Sequence, residues 1–167
     1  FLAIHARMVT GAPLDVVGSF VSAQMLGAVA GNLLGGPIGD RAGGRFLAML
    51  ACGLLAGSML LAAFSASVAL FLLCFALIGA GNTLLMNGAN TLQLAAFSER
   101  ERPIVLAVIS AFVFPGYLLA AAAATAFRDL GLGFPVASLT ATVLLTLALW
   151  QYARLRKAGL AASEPPL

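Results

Sequence analysis

Charge is scarce in this chain. Of its 167 residues, nine are Lys or Arg, six are Asp or Glu and one is His, so only 9% carry a charged side chain. A soluble domain carries roughly 25%, because its core needs a hydrated shell. That shortage excludes an ordinary soluble fold. It also argues against an enzyme. The six acids (Asp15, Asp40, Glu99, Glu101, Asp129 and Glu164) lie in or near the breaks between apolar runs, and His5 is the single histidine. No nucleophile–base pair or metal-ligand set can be assembled from them at depth. The sequence therefore calls for no catalytic residue, no metal and no cofactor. Cysteine is nearly absent as well. Cys52 and Cys74 sit inside apolar runs, lack metal-ligand spacing and read as small packing residues. The net charge of +3 does not suggest a nucleic-acid partner, because its cause is the placement of the charges.

What the chain has in abundance is apolar length. Hydrophobic residues make up 62% of it, and the mean hydropathy is +1.04. Five apolar stretches follow one another, at residues 14–36, 46–66, 68–97, 104–127 and 134–152. A helix needs about 20 residues to cross the hydrocarbon core. Backbone groups in lipid must be hydrogen-bonded within their own segment, which favours helices over irregular chain. The expectation is an all-α integral membrane protein, a polytopic helical bundle over 1–155 with a cytoplasmic tail at 156–167.

The basic residues give that bundle an orientation. Arg41, Arg45, Arg100, Arg102, Arg154, Arg156 and Lys157 fall on one side of five successive crossings, and Arg7 and Arg128 fall on the other. Lys and Arg concentrate on the cytoplasmic side. The C-terminus is thus expected in the cytoplasm and the protein in the plasma or inner membrane. The start, Phe1-Leu2-Ala3-Ile4, opens on an apolar scrap without Met. It reads as the outer end of a further helix, with a longer protein preceding it.

One loop carries a motif. Residues 35–45 read Gly-Gly-Pro-Ile-Gly-Asp-Arg-Ala-Gly-Gly-Arg. Gly36 and Gly39 allow a tight backbone turn and close packing. Asp40 is placed to accept from free helix N–H groups or to pair with Arg41. The run Gly36-x-x-x-Asp40-Arg41-x-Gly43-x-Arg45 resembles the signature loop of the major facilitator superfamily (MFS), with Gly44 standing where a basic residue is usual. In that family the loop joins helices two and three, and a copy joins helices eight and nine. In the first half, the helix two spans further on usually carries an intramembrane arginine. Residues 70–79 here contain none. The resemblance therefore implies the C-terminal MFS half: a six-helix bundle whose first helix is truncated, running from the end of helix seven to helix twelve. It further implies a secondary transporter, a permease or exporter that moves a small solute by alternating access. A coupling proton and the missing N-terminal half of the same chain would be its partners within the bilayer. The competing reading is a non-transporting membrane receptor or assembly protein of the same fold.

The amides give candidates for a solute path. Gln24 and Asn82 lie near the middle of their runs, and Asn82, Met86 and Asn90 share one face at about 100° per residue. Side-chain amides in hydrocarbon are costly and should face protein or water. Tyr117 follows Pro115 and Gly116, a pair that can kink or locally unwind a helix. Gln24, Asn82, Met86, Asn90 and Tyr117 are thus candidates to line a pathway near the midplane. The same amides can equally act as interhelical glue. Ala23, Gly27, Gly31 and Gly35 form a small-residue stripe suited to close helix packing.

Overall fold

The computed structural model describes residues 2–130 and 133–154. The tail at 156–167 lies outside the described residues. So do some side chains within the helices, among them that of Tyr117. Five helices follow in order: α1 (Leu2–Thr10), α2 (Leu14–Phe64), α3 (Val68–Ala96), α4 (Arg102–Asp129) and α5 (Phe134–Arg154). No strand occurs among the described residues. The fold is an all-α membrane helical bundle.

Local chemistry sets the breaks. Gly11, at φ 64°, ends α1, and its N–H donates to the Arg7 carbonyl at 2.9 Å. A left-handed residue after a helix is the usual glycine stop. Pro13 then opens α2 at φ −67°. At the far end Ser65 adopts an extended conformation, and its hydroxyl donates to the Leu61 carbonyl at 2.7 Å. Ser98 precedes α4. Its N–H and hydroxyl donate to the same Glu101 carboxylate oxygen at 3.1 and 2.6 Å. The Ser-x-x-Glu spacing of a capping box holds that corner.

The 51 residues of α2 are two helical arms rather than one rod. Gly43 lies at φ 81° and ψ 158°, outside helical space. The contacts show that the chain reverses there. Along the first arm, Gly27 meets Ala76, Gly31 meets Ala80 and Gly35 meets Asn87, so this arm runs parallel to α3. Along the second arm, Gly44 meets Gly88 and Leu55 meets Gly81, so that arm runs back antiparallel to α3. The sequence had put the turn at Gly36 and Gly39. Both stay helical, and the single residue beyond them that needs a positive φ makes the reversal. Two apolar runs expected to be separated by a loop at 37–45 are instead helical up to that one residue.

Among the described residues the α2–α3 contact is the most extensive, followed by α2 with α5, while α4 meets α5 narrowly. At one end of the bundle Phe20, Phe71, Phe75, Ala62 and Phe134 close into an apolar cluster with Ala6 and Cys74. The outward surfaces are apolar too: Leu26 and Leu33 are each 71% exposed. Lipid is the solvent that such a surface fits. By length and composition, Leu14–Phe64 and Val68–Leu92 can cross a membrane, and Phe134–Ala148 is a shorter apolar helix.

Candidate functional site: an amide face and a glycine turn

The two arms of α2 leave one side of α3 uncovered. Successive residues turn by about 100° on a helix. The first arm touches α3 at Ala76, Gly79, Ala80, Thr83 and Asn87. The second arm occupies a neighbouring sector at Gly81, Leu84 and Gly88. On the other side of the first arm's contact, overlapping its edge at Gly79, stand Asn82, Met86 and Asn90, all exposed. Among the described residues, the amides of Asn82 and Asn90 have no hydrogen-bond partner. The threonines of the same helix differ. Thr83 donates to the Gly79 carbonyl at 3.0 Å and Thr91 to the Asn87 carbonyl at 2.9 Å, so their own backbone satisfies them.

Gln24 borders this face. Its carbonyl oxygen lies where a Cβ on Gly79 would have to be, and Gly79 stands one turn before Asn82 on α3. The Gln24 side chain is half-buried. The structure therefore brings Gln24, Asn82, Met86 and Asn90 to one side of the α2–α3 pair. The side chain of Tyr117 lies outside the described residues. Pro115 is exposed, and the helical backbone of α4 continues through it.

The glycine stripe sits on the same axis. A Cβ on Gly27 would collide with the Ala76 carbonyl, one on Gly31 would come within 2.7 Å of the Ala80 carbonyl, and one on Gly35 within 2.8 Å of the Asn87 amide nitrogen. Sequence reasoning saw the stripe on α2 but missed the small residues that meet the same arm from α3, Ala76, Gly79 and Ala80. The signal was present as small residues at 76, 79 and 80, at helical spacing.

In the motif loop, Asp40 and Arg41 are exposed and Arg45 is half-buried. Gly44 is buried: a Cβ there would lie 2.7 Å from the Thr91 Cβ and 2.9 Å from the Gly88 carbonyl. A side chain at this position would push the turn away from α3.

Elsewhere, a depression of about 400 Å³ opens at the α1–α2 turn, lined by Ile4, Arg7, Met8, Gly11, Ala12 and Pro13. It holds none of the amide residues. Among the described residues no group of three His, Cys, Asp or Glu is placed to hold a metal ion.

The arrangement is that of helices packed backbone to backbone, with an exposed polar strip bordering their contact. Comparison with known families decides what it belongs to. The family model of the Major Facilitator Superfamily matches residues 2–166. The chain belongs to the Major Facilitator Superfamily. None of the curated proteins and none of the solved structures compared with the chain matches it. As an MFS protein it is a membrane protein of a family whose members carry small solutes across the bilayer.

Proposed function

We propose that this chain is part of an MFS secondary transporter that moves its solute by alternating access, with Gln24, Asn82, Met86, Asn90 and Tyr117 lining the pathway. One observation carries the reading: two amides, unpartnered among the described residues, and a thioether stand exposed on α3 beside its contact with the first arm of α2. In hydrocarbon such amides need water or protein. Within the described residues no helix supplies that partner, so a water-filled path between helices accounts for them.

On this reading α1 is the end of the seventh helix, the two arms of α2 are the eighth and ninth, and α3, α4 and α5 are the tenth to twelfth of twelve, preceded by an N-terminal half. The absence of an arginine from residues 70–79 supports it. The motif turn at Gly43, with Asp40, Arg41 and Arg45 beside it, faces the cytoplasm. Its support is that Gly44 packs on Thr91 near the end of α3, which puts Arg41 and Arg45 at the same end as Arg100 and Arg102. Arg7 lies at the opposite end. That charge asymmetry favours five crossings of a cytoplasmic membrane with the C-terminus inside. A proton remains a candidate coupling ion, its carrier to be sought in the preceding half. Gly36 and Gly39 would then form the approach to the turn, with Pro115 and Gly116 the flexible point of α4.

The test is flux of the full-length protein in proteoliposomes. Asn82→Ala and Gln24→Ala should each cut solute flux at unchanged membrane abundance. Normal flux in both variants would remove these residues from the pathway.

A further inference from the structure

The spans of this chain offer a solute no fixed charge. No Asp, Glu, Lys, Arg or His occurs within 16–39, 46–98, 103–127 or 130–153. A charged group moving at membrane depth needs a compensating charge or extensive hydration. What the open sector of α3 presents instead is neutral and two-sided in hydrogen bonding. The Asn82 and Asn90 amides each have a donor and an acceptor, and both are exposed and unpartnered among the described residues. They stand eight residues apart, a rise of about 12 Å along the helix. Between them, on the same face, lies Met86, 58% exposed, an unbranched and adaptable apolar side chain. Gln24 adds a third neutral amide at the edge of the same sector.

We propose that the solute recognised by this face is uncharged and bipolar: two hydrogen-bonding groups spaced to meet Asn82 and Asn90, joined by an apolar stretch that lies on Met86. The inference rests on reading this face as the pathway. Selectivity against ions then follows from the site's own chemistry, because an ammonium or carboxylate would leave water without meeting a counter-charge on this half.

The experiment uses the full-length protein carrying Met86→Cys, with the buried Cys52 and Cys74 replaced by Ala. A membrane-impermeant thiosulfonate reports whether position 86 is wetted. Three probes of equal length then compete with labelling: ω-hydroxyoctanamide, ω-aminooctanol and ω-hydroxyoctanoate. The neutral amide is expected to slow labelling by about tenfold at ten times its Kd, and the cation and anion to leave it unchanged. Asn82→Asp in the same background should transfer protection to ω-aminooctanol. Protection of the parent by either ion, or by none of the three while the introduced thiol still reacts, overturns the solute class and leaves the pathway standing. An introduced thiol that never reacts overturns the pathway itself.

Discussion

The carbonyl oxygen of Gln24 occupies the space that a side chain on Gly79 would fill. The first arm of α2 and α3 therefore touch backbone to backbone at this level. In lipid, where apolar surface gains little by leaving the solvent, such close van der Waals approach is what holds helices together. The same contact sets Gln24 beside the uncovered sector of α3.

We expect Gly79→Ala and Gly27→Ala to be among the most disruptive single-methyl changes in the chain. Both would drive a Cβ into backbone rather than into a side chain that can swing away. Overpacking of this kind costs about 1–3 kcal/mol. Gly53→Ala and Gly57→Ala are the controls, because open space surrounds both positions. A helical Ala gains about 0.5–1 kcal/mol over Gly, so these should hold or raise the melting temperature in detergent. Equal melting curves for the four variants would refute the packing assignment.

Gly43→Ala should destabilise the turn by about 1–3 kcal/mol, the cost of a non-glycine residue in a region of φ and ψ open essentially to glycine. Gly36→Ala, in the same motif but helical and with nothing near its Cβ position, should be silent. Protease susceptibility of the 36–45 segment in inside-out vesicles separates the two. A silent Gly43→Ala would mean that the arms reverse elsewhere.

The corner before α4 should loosen in acid. Hydrogen bonds from the Ser98 hydroxyl and then the Ser98 N–H hold the exposed Glu101 carboxyl below its ordinary value of 4.5. Because the folded value is the lower one, the contribution to stability is complete above the ordinary value. It is lost as pH falls through the depressed one. Amide exchange at the start of α4, compared at neutral and acid pH after correction for intrinsic rates, should rise in acid. Glu101→Gln should show that faster exchange already at neutral pH.

His5 ties α1 to the rest of the bundle through rings. It stacks on Phe134 with centroids 4.2 Å apart and meets Phe71 edge-on at 6.0 Å. Such pairs contribute about 0.5–1.5 kcal/mol beyond area burial. His5→Ala should lower the melting temperature, and His5→Phe should restore most of the loss. Equal loss in both variants would assign the effect to the imidazole nitrogens instead of the stack.

Several of these features were legible without coordinates. Composition required lipid, and the Gly36–Arg45 run resembled the family that the match over residues 2–166 shows. Periodicity alone put Asn82, Met86 and Asn90 on one helical face, and spacing alone put Gly27, Gly31 and Gly35 on another. These are properties of a single helix, fixed by its repeat.

What the sequence could not decide depended on pairs of helices. Gly36, Gly39, Gly43 and Gly44 all look alike as turn formers in a glycine-rich loop. Only the path of the two arms against α3 selects Gly43 for the positive φ and buries Gly44. Likewise, an amide face has no direction until a neighbour covers the sector beside it. Close approach at Gly27, Gly31 and Gly79 brings α2 against α3 and leaves the neighbouring Asn82, Met86 and Asn90 exposed. Local periodicity determined which residues stand together, and helix-to-helix packing decided what they face.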